Sequence, residues 1–289
     1  MNRRPFLRCV PRLRAGVPAG GPGRAAARAL LAAMLCLGLS SGPAPAAGPD
    51  PAEAVSAALL PGWRDASGRH VAGLRLRLAP GWKTYWRSAG SAGISPRFDW
   101  RASDGIAAVD PLWPAPTFFE GPAGRAFGYG GEVVIPLAIA VTGPDAVLRG
   151  EVEIGVCRDI CVPARLRLEA ALPERGQRDA AIAGWMARGA ERVETRADCR
   201  FEPARAGLGL TATMDVPSPG QPETVVFEVE DPTVWVTDSE VHRQGGRITA
   251  RTRLIGPGGG PPSMVRRGGI RITLLGGSRA VELAGCDGS

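Results

Sequence analysis

Two cysteines with three residues between them are the most reactive-looking feature of this 289-residue chain: Gly155-Val156-Cys157-Arg158-Asp159-Ile160-Cys161-Val162-Pro163. If the segment is a tight hairpin turn, the two Cα atoms can approach the ~5.5–6 Å that a disulfide requires. Such a bond closes a very small loop and removes little entropy from the unfolded chain. A bond that stabilises so little is suited to opening and closing, and strain in a small ring eases its reduction. Arg158 favours a thiolate at this site and Asp159 opposes it, so sequence leaves the thiol pKa open. The chemistry expected is dithiol exchange: one thiolate attacks a partner disulfide, a mixed disulfide forms, and the second cysteine resolves it. Two other readings stand beside it. The bond could be an inert hairpin staple, or the two thiolates could hold Cu(I), since soft ligands select soft metals.

Four cysteines lie beyond the N-terminal leader: Cys157, Cys161, Cys199 and Cys286. Four allow three pairings. Spacing favours Cys157 with Cys161 and Cys199 with Cys286, because each pair falls within one structural unit. Cys199 and Cys286 bracket the C-terminal unit and read as a structural disulfide, with a second redox pair as the functional alternative. His70 and His242 are the only histidines. A catalytic triad or a multi-histidine metal site is therefore disfavoured, both histidines are expected at the surface, and no metal or cofactor is expected. The Gly-Pro-Gly-Gly-Gly-Pro-Pro stretch at 256–262 is not followed by Lys-Ser/Thr and is no phosphate loop.

The elements that must position the cysteines read as β. Val71, Leu74, Leu76 and Leu78, with Arg75 and Arg77 on the other face, mark a half-buried strand. Gly81 to Trp86 reads as a turn into an aromatic-rich strand, and Phe98 to Trp100 as a short strand. Residues 111–131 read as a long Pro/Gly/aromatic loop. Glu132 to Val141 is a strand, with Pro136 suggesting an edge or a bulge; Glu151 to Cys157 and Ala164 to Leu172 are two more. Gln177 to Ala190 reads as a helix with Ile182, Trp185 and Met186 on one face. From Phe201 the pattern is β again, closing on a hairpin across Gly276-Gly277-Ser278. The fold class expected is all-β: an immunoglobulin-like sandwich, a short helix, and a second smaller β-domain. The seven tryptophans are expected to fill cores.

Charge belongs to the leader. The formal net charge is +7, and residues 1–47 hold seven arginines and no acid, so the remainder is near neutral. A nucleic-acid-binding body would need a basic surplus of its own. The Arg-rich start, the apolar run Ala29 to Leu39 and the small-x-small Ala44-Pro45-Ala46 read as a cleaved secretory signal peptide over 1–47. Asn2-Arg3-Arg4-Pro5-Phe6-Leu7-Arg8 resembles a twin-arginine export motif, though the apolar run starts far downstream. The expected location is the periplasm, where disulfides persist.

A series of motifs in one order then carries a resemblance: Gly81-Trp82-Lys83-Thr84-Tyr85-Trp86, Gly90-Ser91-Ala92-Gly93, Trp100, Trp113-Pro114-Ala115-Pro116, Phe127-Gly128-Tyr129, and Val156-Cys157-Arg158-Asp159-Ile160-Cys161-Val162-Pro163. Over about residues 55–172 it resembles the periplasmic N-terminal domain of the DsbD and ScsB family. That resemblance implies an immunoglobulin-like domain at 48–173, followed here by a helical linker at 174–198 and a C-terminal β-domain at 199–289. It implies that Cys157 and Cys161 exchange electrons between a thioredoxin-like or membrane donor and periplasmic disulfide proteins, as a protein-disulfide reductase-like carrier. It also implies that Cys161 makes the mixed disulfide, and that a cap loop with Phe118, Phe119 and Glu120 shields the pair, Phe127 and Tyr129 being second choices. ScsB-type relatives add a link to copper tolerance. This sequence departs in its C-x3-C spacing, in Lys83 where many relatives have histidine, and in holding neither a membrane domain nor a C-x-x-C motif. The donor is expected on a separate polypeptide.

Overall fold

The computed structural model describes residues 51–91, 93–121 and 124–287. The leader expected over 1–47, with its export motif and cleavage site, lies outside them. Residues 49–289 cluster as one compact unit. No helix among the described residues is long and apolar enough to cross a membrane.

One helical turn, α1 (Pro51–Ala54), leads into β1 (Val55–Arg64), β2 (His70–Leu78), β3 (Lys83–Gly90), β4 (Arg97–Asp99), β5 (Ile106–Pro111), β6 (Thr117–Gly121), β7 (Gly124–Gly130), β8 (Glu132–Val141), β9 (Val147–Cys157) and β10 (Cys161–Ala171). They form two facing sheets, ordered β1-β2-β8-β5 and β10-β9-β3-β7-β6, with β4 paired to β9. Alternation decides what faces inward. Leu74, Leu76 and Leu78 on β2 meet Leu148, Val152, Ile154 and Val156 on β9, with Trp82, Trp86 and Phe127, in one buried cluster. Arg77 turns outward and its Nε donates to Glu132 at 2.6 Å.

Then come α2 (Ala180–Met186), β11 (Glu191–Val193), β12 (Ala197–Pro203), β13 (Leu208–Asp215), β14 (Glu223–Glu228), β15 (Trp235–Val236), β16 (Glu240–Gln244), β17 (Arg247–Ile255), β18 (Arg271–Gly276), β19 (Arg279–Ala284) and β20 (Cys286–Asp287). The sheets β11-β19-β18-β14 and β15-β17-β13-β12-β20, with β16 on β17, enclose a second core. The architecture is thus mostly β, as composition and periodicity imply. Val226 on β14, Leu275 on β18 and Ala280 on β19 join the first cluster rather than the second, so the two sandwiches share an apolar seam.

Four local expectations need correction. Residues 117–121 and 124–130 are not loop: β6 and β7 pair antiparallel from Thr117↔Gly128 to Gly121↔Gly124, a register that the Pro- and Gly-rich composition obscures. The helix runs only from Ala180 to Met186, capped by Asp179, whose side chain accepts from Ala181 N at 2.7 Å and Ile182 N at 3.0 Å. Ile182 is fully buried against Val71 and Val134, whereas Met186, at the end of two short turns, is exposed. Pro136 lies on an interior strand, not at an edge. Its carbonyl accepts from Leu112 N, just past the last β5 residue, so its missing N–H interrupts no ladder there.

The fourth concerns His70, which is fully buried, while His242 is exposed. β1 breaks register between Leu60 and Trp63, and His70 Nε2 lies 2.5 Å from the Pro61 carbonyl in that bulge. Burial holds the imidazole pKa below its usual value; the Pro61 carbonyl opposes this and Arg64 reinforces it. The unfolded state therefore takes up a proton first as pH falls, near 6.5. The stabilisation from His70 is complete above that pH and is lost below it. Urea unfolding of wild type should weaken between pH 7.5 and 5, and His70→Gln should flatten that part of the profile. An unchanged slope in the variant contradicts the assignment.

Candidate functional site

β3 supplies the row on which the site is built. Lys83, Tyr85 and Arg87 alternate along it and so lie on one face. Lys83 stands directly opposite Cys157 on β9 in the antiparallel register, and Cys157 stands opposite Cys161 on β10. Lys83, Cys157 and Cys161 thus share the outer face of the sheet. Val156, Val152 and Ile154 turn inward and anchor β9 in the core.

Cys157 and Cys161 are joined as a disulfide, with Cα atoms 4.1 Å apart. Cys157 is half-buried and Cys161 is exposed. The Tyr85 hydroxyl lies 2.7 Å from Cys157 Sγ and 3.0 Å from Cys161 Sγ. A disulfide sulfur carries no proton, so the phenol is the donor. Tyr85 as a whole is 5 % exposed, and burial raises the phenol pKa. The hydroxyl therefore keeps its proton, available to a sulfur that gains charge. Two glycines make room for the ring. A Cβ on Gly155 would lie 2.9 Å from both Ile94 Cβ and Tyr85 Cε2, and one on Gly93 would lie 2.7 Å from Tyr85 Cδ1. Thr84, on the opposite face of β3, donates through Oγ1 to the Gly155 carbonyl at 2.9 Å and ties β3 to β9 beside the cysteines.

Charges around the turn partly cancel. Arg158 Nε pairs with Asp159 Oδ2 at 3.0 Å, both exposed, and the guanidinium sits 5.3 Å over the Trp82 ring. Lys83 Nζ lies 4.3 Å from the centroid of Phe119. Ile160 at the tip of the turn is 55 % exposed and Ile94 is 46 % exposed, leaving an apolar rim beside the exposed sulfur.

The residues expected as a cap have separate surroundings. Phe118, Phe119 and Glu120 lie on strand β6, the outer strand of the sheet. Phe119 meets Lys83 and through it the neighbourhood of Cys157. Phe118 packs against the first core, and Glu120 pairs with Arg125 on β7 at 3.2 Å. Phe127 and Tyr129 are core residues; the Tyr129 hydroxyl donates to the Pro114 carbonyl at 2.8 Å. Cys199 and Cys286 form the second disulfide, 3 % and 4 % exposed, joining β12 to β20. Among the described residues, no group of three or more His, Cys, Asp or Glu converges as a metal site.

Tyr85 is the residue that sequence reasoning left out. The available signal was its position two residues after Lys83 on a predicted strand, but nothing in the spacing reveals that this strand pairs with β9.

Residues 54–173 match the family model described as thiol:disulfide interchange protein DsbD, N-terminal. The crystal structure of the N-terminal periplasmic domain of ScsB from Proteus mirabilis aligns with a TM-score of 0.59 at 18 % identity, covering 79 % of this chain and 90 % of that one. At that identity the likeness is one of fold, and its coverage takes in both sandwiches. A search of curated proteins found no match. The matched segment holds β1 to β10 and both site cysteines, so the likeness to the DsbD N-terminal family of thiol:disulfide interchange proteins lies in the first sandwich.

Proposed function

We propose that this chain is a periplasmic thiol–disulfide exchange module that passes electrons through Cys157 and Cys161. A thioredoxin-like or membrane donor outside these 289 residues supplies them, and periplasmic disulfide proteins receive them. One observation carries the reading above all: a buried tyrosine hydroxyl within hydrogen-bonding distance of both sulfurs of an otherwise accessible disulfide. An inert staple needs no such donor. A bond that must break benefits from one, because the hydroxyl stabilises the thiolate that leaves, and a better leaving group speeds exchange.

In this reading the donor thiolate attacks Cys161 Sγ, the exposed sulfur, and Cys157 leaves. Cys161 is then the cysteine that makes mixed disulfides, and Cys157 resolves them. Phe119 serves as the shield. Cys199–Cys286 is a structural staple, too buried for attack. The division 48–173, 174–198 and 199–289 is supported by two cores on either side of α2, although β11 and Ala197, inside the middle segment, already belong to the second sandwich.

Trapping tests the assignment. With Cys157→Ser, the remaining Cys161 thiol should accumulate a mixed disulfide with a thioredoxin-like donor bearing one active-site cysteine activated as a mixed aromatic disulfide, identified by mass spectrometry. Cys161→Ser should trap at least tenfold less. Equal trapping by both variants, or preference for Cys157, overturns the order of attack.

A further inference from the structure

We propose that the cleft between the two sandwiches is a docking groove for an extended, cysteine-bearing segment of an acceptor polypeptide, which adds as a strand to the free edge of β14. The inference rests on the exchange reading above and names the form in which an acceptor presents its sulfur.

The cleft holds about 700 Å³ and is walled by 87–90 and 93–97 from the first sandwich and by 224–229 and 234–239 from the second. It starts beside the disulfide. Ile94 stands in its wall and also against Gly155, where an added Cβ would lie 2.9 Å from Ile94 Cβ. Arg87, in the same wall, lies four residues along β3 from Lys83, the residue opposite Cys157. At about 3.3 Å per residue that is about 13 Å, so a segment joined to Cys161 reaches the cleft within about five residues.

All the residues from Thr224 to Val229 line the cleft, yet the side chains of its central four are committed elsewhere. Val225 and Phe227 turn into the second core, Val226 into the first, and Glu228 pairs with Arg87. What these four offer the cleft is backbone. β14 is the last strand of its sheet and pairs only with β18. The Val225 carbonyl accepts from Ser239 Oγ, so it points away from β18. On an antiparallel strand this direction recurs at every second residue, which aims the N–H and C=O of Phe227 off the free edge. Phe227 is 3 % exposed, and among the described residues no strand pairs with it on that side. Backbone groups held away from water call for partners, and strand addition supplies them.

The surroundings select an apolar strand over a charged ligand. Trp235 is 54 % exposed and Ile94 46 % exposed, both in the cleft wall; exposed aromatic side chains of this kind anchor partners. The charged groups are of both signs and engaged: Arg87 with Glu228, Arg125 with Glu120, Asp238 with Ser91 and Asp231 with Thr233, while Arg97 stands opposite Glu153. An extended segment finds backbone for its backbone, and Trp235 and Ile94 for its alternate side chains.

The test uses a peptide with a central cysteine, capped by thionitrobenzoate and flanked on each side by about six alternating Thr and Val residues. The Cys161 thiolate of the reduced protein attacks the peptide sulfur, and thionitrobenzoate leaves with the electron pair. Cys157 then attacks Cys161 Sγ and releases the peptide thiolate, which takes a proton from solvent. The pair ends as a disulfide and the probe as two thiols. With each rate divided by that for reduced glutathione, the peptide should react at least about tenfold faster than capped N-acetylcysteine amide. N-methylation at alternate peptide residues should abolish the gain, and Trp235→Ala should cut it to within about twofold. With a serine analogue of the peptide, the Phe227 amide NMR signal should shift. Equal rates for peptide and single residue, or shifts that miss β14, overturn the docking, and continued exchange with glutathione disulfide then leaves the exchange reading standing. A dimer in sedimentation that Trp235→Ala dissolves also overturns it, since a second copy then fills the cleft. A reduced pair inert to both probes and to glutathione disulfide overturns both readings.

Discussion

Replacing Arg87 by alanine should destabilise the protein by about 3–5 kcal/mol, the cost of leaving buried charges without their partner. Arg87 follows Lys83 and Tyr85 on the same face of β3, but reaches across to the second sandwich. Its Nε donates to Glu228 Oε1 at 3.0 Å, and its Nη2 to Glu228 Oε2 at 2.9 Å, to Glu282 Oε2 at 2.7 Å and to Thr273 Oγ1 at 3.3 Å. The three charged side chains are 15 %, 21 % and 11 % exposed, so water cannot take over. Burial works against the guanidinium charge, yet the Glu228 and Glu282 carboxylates overcome it and hold the Arg87 pKa above its ordinary value. Arg192 and Arg271 also approach Glu282, at 3.4 and 3.9 Å. They soften the loss at Glu282 but do not reach Glu228. Most of the cost therefore lies in stranded carboxylates, and Arg87→Met combined with Glu228→Gln and Glu282→Gln should recover a large share of it. Urea unfolding checks both. A loss below about 1 kcal/mol for Arg87→Ala, the value of a surface pair, contradicts the account.

Removing the two disulfides should have sharply unequal effects on stability. Cys199 and Cys286 are 87 positions apart, and Cys157 and Cys161 are 4 apart. In the chain-entropy treatment the long loop contributes about 4–5 kcal/mol and the short one about 2 kcal/mol. Cys199→Ala with Cys286→Ala also opens space inside the second core, which adds to the loss. Cys157→Ala with Cys161→Ala removes a bond on the outer face of a sheet whose register is already set by eleven paired residues from Cys161↔Cys157 to Ala171↔Val147. Unfolding midpoints should fall far more for the first double variant than for the second. Equal losses, or the reverse order, contradict the division into a staple and an exchanging bond.

The parts of this fold legible in the sequence are those whose side chains alternate cleanly. Leu74, Leu76 and Leu78 against Arg75 and Arg77 mark β2, and Glu132 to Val141 matches β8 at both ends. β6 and β7 escaped because glycine and proline dominate 111–131, and strand pairing there depends on a neighbour, β3, far away in the chain. His70 escaped because the bulge that buries it belongs to another strand. The same limit divides the site. Cys157 and Cys161 declare themselves by local spacing, since their bond is local. Tyr85 and Lys83 reach them across about 70 residues through strand pairing, which spacing does not encode. Arg87 is further removed still, its partners lying in the second sandwich.

The reduction potential of the Cys157–Cys161 bond tests the central claim most directly. The protein would be equilibrated in glutathione buffers, with Cys199 and Cys286 followed separately by alkylation and mass spectrometry. The account predicts a value between about −180 and −270 mV, the range of exchange proteins, with Cys199–Cys286 remaining oxidised throughout. A value below about −300 mV for Cys157–Cys161, the range of structural bonds, would contradict it.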